Sequence, residues 1–308
     1  MMQKSDQILI TGSHGMVGRH LHQTLSAMGY SNVAETNVDL MSLHATLEMF
    51  RDIKPAYVFH LAAYVRGIAG NMRSQSLSFL RNTTINTNVI EACRDSGVKK
   101  IVAMGTVAMY PDKQVGCFYS EDDIWNGEPH SSEYGYGHAK RGMYAQLQAY
   151  RKDYGLEYVC AISTNLYGPH DRFDIENGHV IPSLIRKFHE ARRSEVPVTI
   201  WGDGSATRDF LYVKDAARAL VMMMDLGDGA MNLATGDSYT ILQAAKAIGA
   251  HAGYDRVEWD TSKPVGQRHR KYDVSRLTRM GFSPEYSLSR GLRETYDWYS
   301  GNELRARR

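Results

Sequence analysis

The stretch from Gln7 to Gly18 constrains the fold of this chain more than any other. A short apolar run, Gln7-Ile8-Leu9-Ile10-Thr11, is followed at once by glycines at positions 12, 15 and 18. An amphipathic segment then continues to Met28. Glycines permit a tight turn and the close approach of a pyrophosphate, which rests against the positive end of the following helix. The spacing is G-x-x-G-x-x-G. We therefore predict a dinucleotide site here, with a purely structural turn as the alternative.

The same alternation of apolar runs and amphipathic segments continues along the chain. Strands are predicted at 7–11, 32–35, 57–63, 100–106 and 157–163, and helices at 16–28, 42–52, 85–96 and 138–154. Strands separated by helices indicate an α/β fold with a Rossmann-type, doubly wound parallel sheet and right-handed crossovers. Beyond Leu166 the pattern loosens, with helices predicted at 179–193, 213–226, 240–251 and 288–299 and strands at 197–201 and 231–233. The 231–233 strand is expected to return to the main sheet.

Small or hydroxylic residues follow several of the predicted strands. They are Gly12, Ala62-Ala63, Thr106 and Ser163-Thr164-Asn165. In open parallel sheets, ligands bind beyond the carboxyl ends of the strands. A flat cofactor lying across this edge of the sheet would need such small residues.

The end of the second strand indicates which nicotinamide cofactor fits. An acidic residue there can accept a hydrogen bond from the ribose 2′-hydroxyl, whereas an arginine accommodates a 2′-phosphate. The chain has Glu35, Asn37 and Asp39 in this region and no lysine or arginine, and His14 is the one potentially cationic residue of the glycine turn. This composition favours NAD over NADP. The alternative is that Glu35 points into solvent.

Tyr136 and Lys140 stand four residues apart where a long helical pattern begins. On a helix this spacing places both side chains on one face. An ammonium beside a phenol favours the phenolate, so we expect Lys140 to lower the pKa of Tyr136 and allow proton transfer near neutral pH. The alternative is a chance pairing on an ordinary helix face.

Composition excludes several other classes of protein. The 308 residues include 43% hydrophobic and 23% charged residues and carry a formal net charge of +2, which gives no electrostatic case for binding nucleic acid. No apolar run approaches the ~20 residues that span a bilayer, and no signal-peptide core precedes the first strand. The three cysteines show neither paired nor metal-ligand spacing. We expect a cytoplasmic protein without a metal site or a membrane partner.

Taken together, these motifs resemble the extended short-chain dehydrogenase/reductase family, also described as NAD-dependent epimerases/dehydratases. The glycine turn, Thr106 thirty residues before Tyr136, and Lys140 carry the family resemblance. Within that family the chain is similar to the GDP-L-fucose synthase group over nearly its whole length. The segments that carry this closer similarity are 163–171, 179–182, 186–191, 201–202, 208–211, 262–264 and 271–277.

The resemblance implies a role for each catalytic residue. Tyr136 would exchange a proton with the oxygen at C4 of a sugar, and Lys140 would hold the nicotinamide ribose. Thr106 stands where the family has a serine, and its hydroxyl could bond the same oxygen. Substrate contacts are implied at Thr106, His179, Val180, Lys187, Trp201, Arg208 and Asp273. Arg268 and Lys271 add basic groups that could clamp a diphosphate.

The predicted cofactor-binding residues combine the resemblance with the arguments above. They are Gly12, Ser13, His14, Gly15, Met16, Val17, Gly18, Glu35, Asn37, Asp39, Leu40, Leu61, Ala62, Ala63, Met104, Lys140, Ser163, Asn165, Leu166 and His179. The resemblance also implies a homodimer and two domains. Residues 1–163 plus 213–235 would bind the dinucleotide, and residues 164–212 plus 236–308 would bind a GDP-linked sugar.

Two departures from the GDP-L-fucose synthase pattern refine the expected activity. His14 and Asn37 stand where that group has the arginines that serve NADP, which again favours NAD. Ala108 stands where the group has the cysteine that works with His179 in epimerisation at C3 and C5, and Cys117 is too distant in sequence to be assumed as a substitute. We therefore predict a 4-keto-sugar reductase without that epimerisation. The alternatives are an NAD-dependent C4 dehydrogenase, a redox-neutral epimerase of a GDP-hexose or GDP-heptose, and a non-catalytic cofactor sensor.

Overall fold

The computed structural model describes residues 1–65, 67–112, 118–176, 178–262 and 270–307. Strands in these ranges are β1 (Ile8–Thr11), β2 (Val33–Glu35), β3 (Tyr57–His60), β4 (Lys100–Thr106), β5 (Phe118–Tyr119), β6 (Glu157–Ser163), β7 (Asn165–Tyr167), β8 (Val198–Trp201), β9 (Thr207–Arg208), β10 (Phe210–Tyr212), β11 (Gly229–Leu233), β12 (Tyr239–Thr240), β13 (Val257–Asp260) and β14 (Lys271–Tyr272).

Helices follow the strands in the order expected of a doubly wound fold. They are α1 (Met16–Ala27), α2 (Leu43–Ile53), α3 (Ile68–Arg73), α4 (Gln75–Asp95), α5 (Tyr134–Tyr154), α6 (Val180–Ser194), α7 (Val213–Leu226), α8 (Ile241–Ala252), α9 (Ser275–Arg279) and α10 (Leu288–Asn302). A short 3-10 turn, Val107–Met109, follows β4 directly. None of the helices in the described ranges is long and apolar enough to cross a membrane.

The main sheet is parallel throughout, with the strand order β11-β6-β4-β3-β1-β2. This arrangement confirms the predicted Rossmann-type α/β fold. The strand around Met231 also returns to the sheet, where β11 pairs with β6 in parallel. The carboxyl ends of β1, β3, β4 and β6 therefore meet at one edge, as expected for parallel strands joined by crossovers.

Two apolar clusters cover the faces of the sheet. Alternation along β1 sends Leu9 into one cluster and its neighbours Ile8 and Ile10 into the other, because successive side chains of a strand point to opposite faces. The first cluster includes buried residues of α2, α4 and α5, and the second includes those of α1 and α7. The sheet thus forms the middle layer of three.

A third apolar cluster lies outside these layers. It joins α6, α8 and α10 with the short strands β7, β8 and β10 around Phe173, Phe188 and Tyr299. Parallel pairs β7–β10 and β8–β13 stiffen this region beside the edge of the main sheet.

Of the boundaries that differ from the sequence predictions, three bear on the site. Strand β3 ends at His60 rather than residue 63, because the chain there passes over the glycine turn: a Cβ on Gly12 would lie 2.8 Å from the Ala62 nitrogen. Helix α4 begins ten residues earlier than predicted, at Gln75, because its first turns bury polar residues such as Ser78 and Asn82 rather than an apolar stripe. Helix α5 begins at Tyr134 rather than His138.

Candidate active site

The glycine turn forms one wall of the candidate site. Gly12 has φ +74°, a left-handed conformation that favours glycine, and it closely faces Ala62. Helix α1 begins at Met16, and its N-cap residue, Gly15, offers no side chain to bond the first backbone N–H groups. No acidic residue stands in the first turn. These features fit the pyrophosphate of a nicotinamide dinucleotide, because exposed N–H groups at the positive end of a helix attract anions.

A buried polar chain connects the glycine turn to the loop after β3. The Thr11 hydroxyl lies 2.8 Å from Nδ1 of His60, and Nε2 of His60 lies 3.1 Å from Oδ1 of Asn86. Burial, reinforced by the charge of Lys140, lowers the pKa of His60 to about 3, so the imidazole is neutral. The Thr11 hydroxyl also accepts a hydrogen bond from the Ala62 nitrogen. This chain holds the predicted cofactor residues Leu61, Ala62 and Ala63 beside the turn.

The end of β2 carries a carboxylate between two imidazoles. Oε2 of Glu35 lies 4.0 Å from Nε2 of His14, and Oε1 lies 3.8 Å from Nε2 of His22. His22 lies on α1 and was missed by the sequence argument, which considered only the turn and the strand end. Asn37 and Asp39 are exposed after β2, and the Asp39 carboxylate accepts a hydrogen bond from the Met41 nitrogen at 3.0 Å.

The first turn of α5 is held from two sides of Tyr136. The backbone nitrogen of Gly135 donates to Oε1 of Gln75 at 2.8 Å, so the start of α4 fixes the start of α5. On the other side Gly137 packs against the turn after β4, where a Cβ would lie 2.5 Å from the carbonyl oxygen of Ala108. Neither contact is visible in the sequence, because Gln75 lies sixty residues from Gly135.

Thr106 and Lys140 both attach to the carboxyl end of β4. The Lys140 Nζ donates to the carbonyl oxygen of Met104 at 2.7 Å, and the Thr106 hydroxyl accepts from the backbone nitrogen of Ala108 at 3.3 Å. The structure thus brings Thr106 and Lys140 to one strand end, with the Tyr136 helix turn packed on the adjoining Ala108.

The predicted effect of Lys140 on Tyr136 is wrong for this structure. Burial raises the pKa of Tyr136, and the nearby carboxylate of Glu133 raises it further. Burial also lowers the pKa of Lys140 to about 8. The physical reason is that desolvation is the largest cause of both shifts, while the ammonium is directed to the backbone carbonyl of Met104.

The basic and aromatic residues predicted to contact substrate lie on α6, β8 and β9. Lys187 lies 5.9 Å from the centroid of the half-exposed Trp201 ring, and its Nζ donates to the carbonyl oxygen of Thr199 at 2.9 Å. Arg208 is half-buried, and its Nη1 donates to the carbonyl oxygen of Thr207 at 2.7 Å. Burial lowers the pKa of Arg208, and the neighbouring charge of Arg270 lowers it further.

Arg270 is a candidate that the sequence argument missed. Its side chain is buried, and Nη1 donates to the carbonyl oxygen of Val107 at 3.0 Å, directly beside Thr106. Within the described part of the chain, its Nε and Nη2 have no hydrogen-bond partner. Although burial acts to lower it, the Tyr272 phenol beside this guanidinium raises the pKa of Arg270. A buried guanidinium with two nitrogens that lack a well-aligned partner among the described residues is suited to an anionic ligand. The one signal in the sequence was a basic residue directly before Lys271, and it does not distinguish Arg270 from surface charges.

The remaining predicted residues are more dispersed. Ser163 donates to the Gly105 carbonyl at 3.1 Å and Asn165 to the Asp209 carbonyl at 3.1 Å, which places both at the strand edge next to Leu166. His179 is the exposed N-cap residue of α6, and Val180 begins that helix.

Asp273 and Lys271 lie near the strand β14. The Asp273 carboxylate accepts from the Ser275 nitrogen at 2.8 Å at the start of α9, and its role toward a substrate stays a prediction. Lys271 is exposed on β14. Arg268 and Cys117 lie outside the described residues.

Comparison with known proteins identifies the family. The profile of the "NAD dependent epimerase/dehydratase family" matches residues 8–234. The chain is 36% identical to GDP-L-fucose synthase 1 of Arabidopsis thaliana over 309 residues, covering 98% of this chain and 95% of that protein. It is 33% identical to the GDP-L-fucose synthase of Escherichia coli strain K12 over 317 residues, covering 98% of each.

Solved structures extend the comparison to bound cofactors. A GDP-L-fucose synthetase from Naegleria fowleri bound to NADP has a TM-score of 0.91 and 29% identity, covering 100% of this chain and 96% of that one. A GDP-mannoheptose C4 reductase from Campylobacter jejuni with NADP bound has a TM-score of 0.87 and 27% identity, covering 97% of this chain and all of that one. The chain is thus an enzyme that belongs to the NAD dependent epimerase/dehydratase family.

Proposed function

We propose that this protein reduces a 4-keto sugar linked to GDP, using a nicotinamide dinucleotide. The observation that carries this proposal is the convergence at the end of β4. Lys140 is bonded to Met104, the Thr106 hydroxyl follows two residues later, and the buried Arg270 is bonded to Val107. Similarity to GDP-L-fucose synthases and to a GDP-mannoheptose C4 reductase supports the same substrate class.

Each residue would have a distinct task. A bound nicotinamide supplies the hydride that C4 accepts. Tyr136 would donate a proton to the C4 oxygen, and its raised pKa keeps the phenol protonated before reaction, as a proton donor requires. Thr106 would hydrogen-bond the same oxygen, and Lys140 would bond the nicotinamide ribose. Arg208 and Arg270 would neutralise the diphosphate, and the Trp201 ring beside Lys187 would cover one face of the base.

We propose NAD as the preferred cofactor near and above neutral pH. The support is Glu35 at the end of β2, where a carboxylate can accept from a 2′-hydroxyl and repels a 2′-phosphate. Two structures similar to this chain contain NADP, so the preference rests on this chain's own residues.

Epimerisation at C3 and C5 is not part of the proposal. Ala108 is buried in the turn after β4, and its methyl group cannot accept or donate a proton.

We also propose that residues 1–163 plus 213–235 bind the dinucleotide and that the remainder binds the sugar nucleotide. The third apolar cluster supports that division for α6, α8 and α10, whereas Tyr272 and Leu277 pack in the two clusters on the main sheet.

The test compares Tyr136→Phe with Tyr134→Phe, a control on the same helix with 47% of its surface exposed. Both variants receive a GDP-linked 4-keto-6-deoxyhexose and NADH or NADPH, and products are identified by mass and NMR. We expect Tyr136→Phe to lower turnover by about 10²-fold or more and Tyr134→Phe to retain it. Undiminished turnover by Tyr136→Phe would contradict the proton-donor role.

Product identity separates the alternatives. Accumulating NADH from a GDP-hexose would indicate a C4 dehydrogenase, and turnover without net change in cofactor would indicate a C4 epimerase. Binding of a dinucleotide without any turnover would indicate a cofactor sensor.

A further inference from the structure

We propose that His14 and His22 make the cofactor preference depend on pH. With both imidazoles neutral, Glu35 favours a ribose 2′-hydroxyl. With both protonated, the same site accepts a 2′-phosphate. The inference rests on the proposed function only in requiring that a dinucleotide bind with its adenosine ribose at the end of β2.

The geometry places both imidazoles on one carboxylate. Each Nε2 approaches a different oxygen of Glu35, at 4.0 Å for His14 and 3.8 Å for His22. The other nitrogen of His14, Nδ1, lies 3.1 Å from the buried Ser13 hydroxyl, which fixes the ring orientation. All three side chains are 40–53% exposed, so a ligand and protons from solvent can reach them.

Other charged groups stand around the site. On α1, Arg19 donates from Nε to the carbonyl oxygen of His14. Burial lowers the pKa of His20, which bonds the Met16 carbonyl, and this favours its neutral imidazole. Strand β1 carries no ionisable side chain, and the Asp39 carboxylate follows β2. Imidazole is the side chain whose charge ordinarily changes near neutral pH, so the proposed dependence acts through the two imidazoles that approach Glu35.

The sign of the effect follows from the charges. With His14 and His22 both neutral, the group of Glu35 and these two imidazoles carries a net charge of −1, which comes from Glu35. This charge repels a phosphate dianion, and the Glu35 carboxylate is free to accept a hydrogen bond from a hydroxyl. Full protonation of both imidazoles changes that charge to +1, because two cations then surround one anion. Imidazolium N–H groups are strong donors to phosphate oxygens, whereas a neutral ribose hydroxyl gains little from them.

The experiment measures dissociation constants of NAD and NADP without any sugar, by calorimetry from pH 6.0 to 8.5. Compared are the wild type, the double variant His14→Gln/His22→Gln, and His251→Gln, which removes a histidine on α8. The 2′-phosphate itself titrates near pH 6, and the double variant corrects for this because the ligand titrates there unchanged. Glu35→Gln tests the carboxylate separately.

We expect the ratio Kd(NADP)/Kd(NAD) of the wild type and of His251→Gln to fall by about tenfold or more between pH 8.5 and 6.0, relative to the double variant. Glu35→Gln should lower the ratio at every pH. Equal pH dependence of the ratio in the wild type and the double variant would overturn this inference while leaving the proposed function intact. Binding of neither dinucleotide by the folded wild type would overturn both.

Discussion

At the scale of single residues, desolvation is the largest cause of the pKa shifts of Tyr136 and Lys140, the proposed catalytic pair. Lys140 was expected to lower the pKa of Tyr136 by attraction, yet burial opposes the charged form of both residues. The raised pKa of Tyr136 favours reduction at C4 over oxidation. A phenol that holds its proton is ready to donate it to a C4 oxygen as hydride arrives.

Lys140 should make stability depend on pH in a specific window. Burial lowers its pKa to about 8 in the folded chain, against 10.5 for the ordinary side chain. Between these values the unfolded chain binds more protons than the folded one, so Lys140 makes the free energy of unfolding rise with pH. Lys140→Met lacks this gain. Measured by urea titration at pH 7.5 and at pH 10.5, its free energy of unfolding should fall relative to that of the wild type by up to about 3 kcal/mol between the two pH values. A difference that stays constant with pH would contradict the lowered pKa.

Arg270 should contribute to binding the sugar nucleotide and not the dinucleotide. Its Nε and Nη2 are available for an anion, within the described residues, and its Nη1 is fixed on Val107. We expect Arg270→Gln to weaken GDP binding by about tenfold or more, as measured by calorimetry, and to leave NAD binding unchanged. The exposed Arg290→Gln serves as a control. Unchanged GDP affinity in Arg270→Gln would remove Arg270 from the site.

At the scale of secondary-structure elements, the glycines around Tyr136 allow α5 to approach its neighbours. Gly135 packs against the backbone of Gln75, and Gly137 packs against the carbonyl oxygen of Ala108. A side chain at either position would push the helix away from the turn that carries Thr106. The close approach therefore positions the tyrosine relative to the threonine.

Gly137→Ala and Gly142→Ala provide a matched test on the same helix. A Cβ at 137 would lie 2.5 Å from the Ala108 oxygen, whereas at 142 it meets nothing within 4 Å. We expect Gly137→Ala to destabilise the fold by about 1–3 kcal/mol and to lower turnover. Gly142→Ala should stabilise it by up to about 1 kcal/mol, because alanine favours a helix over glycine. Thermal unfolding and turnover of the two variants check this, and equal effects would argue against the close approach.

At the scale of the whole molecule, the candidate site joins residues that are far apart in the chain at the carboxyl end of β4. Val107 follows β4 of the main sheet, and Arg270, 163 residues away, binds its carbonyl oxygen. Tyr272 adds a second link, because β14 pairs with β5 beside the site. Arg270, from the last part of the chain, thus lies beside Thr106 and Val107 at the strand end to which Lys140 is also bonded.

The expected homodimer can be tested on α4. Phe79 and Leu80 leave 45% and 57% of their surface exposed on this helix, which is unusual for two adjacent large apolar residues. We expect sedimentation equilibrium to give about twice the chain mass of 34.7 kDa and Leu80→Asp to give the monomer. Leu304→Asp, at a position 97% exposed near the C-terminus, should leave the mass unchanged. A wild-type monomer would contradict the expectation.

Local patterns were sufficient to predict the strands of the main sheet and most of the long helices, but not short elements such as α3, β5, β13 and α9. The apolar run before Gly12, the strand at Lys100–Thr106 and the helix carrying Lys140 follow from periodicity and glycine spacing over a few residues. The start of α4 could not be predicted, because buried polar residues such as Asn82 satisfy their hydrogen bonds through the fold. Such a helix has no apolar stripe to detect.

Contacts between distant parts of the chain depended on packing. His22 reaches Glu35, Gln75 bonds Gly135, and Arg270 bonds Val107 only because α1, α4 and the segment before β14 are brought to the same sheet edge. The amino-acid sequence is enough to determine the glycine turn and the Tyr136–Lys140 spacing, because each motif spans only a few residues. The direction in which the pKa of Tyr136 shifts depends on the tertiary structure, because the phenol is desolvated only when the surrounding residues pack around it.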